Sequence, residues 1–83
     1  MTKKINKIKK EARKNMDWGC NETYYNGRLD GTEFAERNTK QAMFNTLCHL
    51  KRENTDKGGN RRDYTYEHNK GKISALEEIL GID

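Results

Sequence analysis

With 83 residues the chain has room for one small domain, 1–83, and its 17 Lys and Arg against 13 Asp and Glu leave a net charge of +4. Proline and valine are absent and helix formers dominate, which points to an all-α fold with at most one short hairpin. No apolar run approaches the ~20 residues of a membrane span and no apolar stretch follows the basic start, so neither a membrane-spanning helix nor a secretory signal is expected.

Most of the positive charge is gathered at the start. Lys3, Lys4, Lys7, Lys9, Lys10, Arg13 and Lys14 face the single acid Glu11, while the other residues together are slightly acidic. In the same segment Ile5, Ile8, Ala12 and Met16 fall at spacings of three, four and four, the stripe of an amphipathic helix over 2–17, with Thr2 as a cap. So narrow a stripe predicts a helix that needs docking to be stable and adds modestly to the core.

Residues 18–30 break the pattern. Gly19 stands where a helix-terminating glycine belongs. Tyr24-Tyr25-Asn26-Gly27-Arg28-Leu29 carries the Asn-Gly of a type I′ turn, so 18–30 reads as an aromatic loop or as a short β-hairpin over 23–29. Trp18 is expected to plug the end of the core. Of Tyr24 and Tyr25, adjacent in extended chain, one would face outward to a base or a partner's pocket.

A helical hairpin is expected over 31–81. Its first arm, 31–54, would be capped by Asp30 with Glu33 three residues on, and would bury Ala35, Thr39, Ala42, Met43, Thr46, Leu47 and Leu50. Gly58 and Gly59 end it. Its second arm, 63–81, capped by Asn60 or Asp63, presents Tyr66, Asn69, Ile73, Leu76 and Leu80 as a heptad-like seam. Gly71, unfavourable within a helix by about 1 kcal/mol, marks close approach of another backbone, and Gly81 suits the C-terminal cap. Strong core formers are few, which predicts further burial in a homo-oligomer or on a partner.

Few residues point to chemistry. Cys20, Cys48, His49 and His68 are enough in number for a tetrahedral metal but lack paired ligand spacing, so no metal and no cofactor are expected. Two thiols without a disulfide framework fit a reduced, cytoplasmic protein. Phosphate-loop, dinucleotide and serine-hydrolase signatures are missing, and the chain is not expected to be an enzyme. Lys51, Arg52, Lys57, Arg61 and Arg62 around Gly58-Gly59 form a possible second cationic patch. Glu77-Glu78, unfavourable at a helix C-terminus, calls for a cation from outside.

The candidate partner- or anion-binding residues are therefore Lys3, Lys4, Lys7, Lys10, Arg13, Lys14, Tyr24, Tyr25, Arg28, Arg61 and Arg62. Lysine prevails over arginine, which suits phosphate contact more than base readout. The partner is an acidic protein surface or a nucleic acid, not a membrane. Short, rich in lysine and asparagine and without a catalytic signature, the chain resembles small phage or mobile-element accessory proteins in general style. The leading expectation is a non-catalytic binding protein that modulates or inhibits a host nucleic-acid-handling or defence machine. The alternatives are direct, largely non-specific DNA or RNA binding, and an oligomeric helical module that sequesters a small anionic ligand such as a nucleotide.

Overall fold

The computed structural model describes residues 2–19, 21–56 and 64–82. Among them are four helices and no strand: α1 (Thr2–Asp17), α2 (Glu22–Arg37), α3 (Lys40–Asp56) and α4 (Tyr64–Leu80). The β-hairpin expected at 23–29 is absent, because those residues lie within α2.

The reason is the packing of α2 on α4. Gly27 and Gly31 stand one turn apart on α2, and Gly71 and Ala75 do the same on α4. A Cβ on Gly27 would overlap the His68 carbonyl, and one on Gly71 would overlap the Tyr24 carbonyl. A Cβ on Gly31 would stand 2.9 Å from that of Ala75. The two backbones touch, so a glycine that locally favours a turn is used here for its missing side chain. The pairings rise together along both helices, Gly27 with His68 and Gly31 with Lys72 and Ala75, so α2 and α4 run in the same sense.

The expected hairpin is thereby divided. Its first arm does not begin at Asp30, which lies in the middle of α2, so the Asp30–Glu33 capping box is not formed. The break comes at Asn38-Thr39. Asn38 is extended and its side-chain amide donates to the Phe34 carbonyl at 2.9 Å, closing α2. Thr39 opens α3: its Oγ1 accepts from the Ala42 N–H at 3.2 Å and its carbonyl from the Met43 N–H at 3.0 Å. A threonine at the N-cap competes well with a threonine inside a helix, which is why Thr39 leaves the inner face assigned to it.

α3 then returns antiparallel to α4. Asn54 donates to the Tyr66 carbonyl at 3.3 Å, the buried Asn69 amide reaches Glu53 at 3.0 Å and Asn54 at 3.2 Å, and Lys51 pairs with Glu77 at 2.7 Å. Asn69 is a polar residue inside the seam, and its carboxamide fixes the register of the two helices. Of that seam Leu76 is fully buried, whereas Tyr66, Ile73 and Leu80 are half-buried and Ala75 and Ile79 share the interior.

α1 packs chiefly on α2. Ile5, Ile8 and Ala12 are buried, and Ile8 is among the largest fully enclosed side chains, beside Met43, Leu47, Leu76 and Thr32. These are three of the four residues of its expected stripe, and the fourth, Met16, is half-buried. Gly19 (φ 75°) and Asn21 (φ 44°) turn the chain from α1 into α2 with left-handed backbone, which glycine and asparagine tolerate best. Gly81 (φ 76°) ends α4, with its N–H and that of Ile82 both donating to the Glu77 carbonyl.

Two substitutions test this packing by chemical denaturation. Leu76→Ala should cost about 2–5 kcal/mol, as expected for a fully enclosed leucine. Gly71→Ala should also destabilise, by about 2 kcal/mol or more, although alanine is the better helix former by about 1 kcal/mol. A stability gain in Gly71→Ala would show that α2 and α4 are not in backbone contact.

Candidate anion-binding face

The candidates that fall among the described residues separate into two groups. Lys3, Lys4, Lys7, Lys10, Arg13 and Lys14 are all exposed, and none makes an ion pair within the described residues. At about 100° per residue, Lys3, Lys7, Lys10 and Lys14 fall within an arc of about 60°, opposite the buried Ile5, Ile8 and Ala12. They form a row about 16 Å long with neighbours about one turn apart. Lys4 stands aside, its ammonium 3.7 Å from where a Cβ on Gly81 would lie, at the negative end of the α4 dipole. Lys9, partly shielded, pairs with Glu36. An open hollow of about 460 Å³ runs along one flank of the row, lined by Asn6, Lys9, Lys10, Arg13, Lys14 and Asp17.

The second group turns inward. Arg28, expected on the surface, is only 5% exposed. Its Nη1 donates to Ser74 Oγ at 2.5 Å and its Nη2 to Glu78 Oε1 at 2.9 Å. Ser74 Oγ also accepts from the Tyr24 hydroxyl at 3.1 Å. Burial pulls the Arg28 pKa down, but the hydrogen bond to Glu78 and the charges of Tyr24 and Glu78 raise it on balance above the ordinary value. Its Nε is buried without a partner among the described residues. Arg28 is therefore a strut between α2 and α4 and offers no free fork to an external anion. Tyr24 and Tyr25 are half-buried and meet edge to face at 5.1 Å, so the in-and-out alternation expected of extended chain does not apply.

The acidic pair near the end of α4 finds its cations within the chain, Glu77 with Lys51 and Glu78 with Arg28, so no outside cation is required. Of the expected second cationic patch, Lys51 is thus engaged and Arg52 is exposed. Lys57, Arg61 and Arg62 lie outside the described residues, as do Gly58, Gly59, Cys20 and the proposed caps Asn60 and Asp63. Among the described residues no group of three or more His, Cys, Asp or Glu could hold a metal ion. Cys48 is exposed, and His68 meets Asp30 at 2.7 Å. A second hollow of about 320 Å³ mixes Asp30 and Glu33 with Arg37 and Lys72, the last 5.9 Å from the Phe34 ring, and presents no single sign of charge. No described helix is long and apolar enough to cross a membrane.

Trp18 also departs from expectation. It is not a core plug but 77% exposed, directly after the last turn of α1. Its N–H donates to the Lys14 carbonyl at 3.2 Å, which fixes it at the end of the lysine row. Its i+4 spacing from Lys14 is the sequence signal for this outward placement, had the helical register been carried one turn further.

Comparison of the chain with protein-family models, curated proteins and solved structures finds no match.

Separation of strut from surface is testable. Arg28→Ala should lower stability by about 2 kcal/mol, the usual scale for hydrogen bonds to a charged group. Lys10→Ala should change it by less than about 0.5 kcal/mol. Equal effects in denaturant melts would place Arg28 on the surface.

Proposed function

We propose that the protein is a non-catalytic nucleic-acid-binding module whose cationic helix α1 holds phosphates along Lys3, Lys7, Lys10 and Lys14. The observation that carries this reading is the lysine row, without an ion pair among the described residues and set opposite the buried stripe of the same helix. Ion pairs tie Lys9, Arg28 and Lys51 to acids, while among the described residues none joins the row to an acid, and Glu11, one turn from Lys7 and Lys14, is the single acid of α1 before Asp17. Like charges at i, i+3 and i, i+4 disfavour the helix that bears them, and an external polyanion turns that repulsion into attraction. Lysine ammonium groups act as point charges, so the contact is to backbone phosphates and largely independent of sequence.

A second reading has a specific observation in its favour. Phe44, 47% exposed on α3, is a large apolar side chain of the kind that anchors protein interfaces. In that reading the protein modulates or inhibits a nucleic-acid-handling or defence machine by docking on an acidic surface, and self-association through the same ring belongs with it. Binding that persists after nuclease treatment and resists salt would favour this reading over the first.

For the nucleic-acid reading, four neutralised phosphates predict a log–log salt slope of about −3 to −4. Replacing Lys7, Lys10 and Lys14 together by Gln should leave one lysine in the row and a slope near about −1, with stability unchanged or slightly improved. Anisotropy of a labelled oligonucleotide, titrated at several salt concentrations, measures both. Retention of the full slope by the triple variant, or no binding by the parent protein at low salt, would remove α1 as the binding element.

A further inference from the structure

Trp18 gives the proposed binding face an aromatic terminus. Its backbone is held to the last turn of α1 by the Trp18 N–H to Lys14 carbonyl bond, and the next N–H, that of Gly19, closes on Met16 at 2.9 Å. Gly19 at φ 75° then turns the chain away. Trp18 is thus 77% exposed on a backbone held to the helix, one helical turn beyond Lys14 in line with the row. Burying apolar area is the ordinary fate of a tryptophan, and a ring of this size left in water by a chain short of core formers has its use outside the fold.

We infer that the occupant of this face is single-stranded nucleic acid, with Trp18 stacking on an unpaired base while Lys3, Lys7, Lys10 and Lys14 track the adjoining phosphates. The inference rests on the nucleic-acid reading of the lysine row and adds the form of the ligand. A point-charge row attracts single strands and duplexes alike, because both carry phosphates. Trp18 breaks that tie. In a duplex the base faces are covered by their neighbours, whereas a single strand offers a free π-face at every nucleotide. Stacking needs no particular base, in keeping with the lysine contacts, which read none. An anionic lipid surface would also attract lysines and a tryptophan. The apolar face of α1, however, is sunk in the protein through Ile5, Ile8 and Ala12, which leaves only Trp18, just past the end of the helix, to insert.

Trp18 is the sole tryptophan of the chain, so its emission reports this place alone. The test titrates the full-length protein with oligo-dT, with a hairpin duplex of equal nucleotide count, and with vesicles of anionic phospholipid. Quenching by oligo-dT and an affinity about 10-fold or more above that for the duplex are expected. Trp18→Ala should erase the preference by weakening only the single-strand complex, Trp18→Phe should retain part of it, and both should melt as the parent does because the ring is exposed. Equal affinity for strand and duplex with unchanged emission overturns this inference and leaves the phosphate-binding row standing. Failure of both nucleic acids to bind at low salt overturns the row and the inference together. A blue shift on vesicles without a response to oligo-dT assigns Trp18 to lipid and overturns it as well.

Discussion

Backbone contact between α2 and α4 is the constraint from which the rest of the structure follows. Gly27 and Gly31 on one side and Gly71 and Ala75 on the other allow an approach that any larger side chain at Gly27 or Gly71 would prevent. Close approach brings dispersion contacts and Cα–H to carbonyl contacts between main chains, which substitute in part for side-chain volume. A chain with few large apolar residues can pack in this way because it has less space to fill. What volume it has is placed around the contact, with Ile8, Met43, Leu47 and Leu76 enclosed and Ile5, Leu50 and Ile79 nearly so.

The same approach organises the charges. It brings Tyr24 and Arg28 within reach of Ser74, Arg28 within reach of Glu78, and Asp30 within reach of His68. Buried arginine is tolerated because two of its nitrogens are satisfied by a hydroxyl and a carboxylate, although its Nε is left over. α3 adds Lys51 to Glu77 and the carboxamide cluster around Asn69. Charges that hold helices together are answered from within, and among the described residues the exposed lysines of α1 make no ion pair. That contrast is the physical basis for giving the lysines a role outside the fold.

How far the sequence disclosed this can be argued residue by residue. Ile5, Ile8 and Ala12 are buried as their spacing implied, because periodicity reports a face directly. Gly71 was legible as a point of close approach, since a glycine inside a strong helical pattern has few other uses. Gly19 and Gly81 were legible as helix ends and do adopt positive φ. Asn26-Gly27 was not legible. The dipeptide is a turn signal judged locally, and its helical state is fixed by α4, some forty residues away, where only a glycine fits. Asp30 and Glu33 had the spacing of a capping box, yet the stronger boundary is Thr39 with Asn38 before it. Arg28 looked like a surface cation because its partners Ser74 and Glu78 lie far along the chain. Trp18 looked like core because tryptophans usually are, and its exposure depends on Gly19 turning the chain at that point.

The proposed face therefore divides into a part that composition reveals and a part that only the fold reveals. Lysine density can be counted without knowing any structure. Which lysines share a face requires the buried stripe, and which aromatic joins them requires the helix end. α1 meets both requirements with one geometry. Its inner side holds Ile5, Ile8 and Ala12 against α2, so the helix cannot rotate without exposing them. Its outer side is thereby fixed in orientation, with the lysines held in a row rather than spread over a mobile terminus. A row of fixed orientation gains more from a linear polyanion than the same charges on a flexible tail, because less side-chain and backbone freedom is lost on binding. The apolar stripe, modest as a source of stability, thus serves the proposed function as an alignment device.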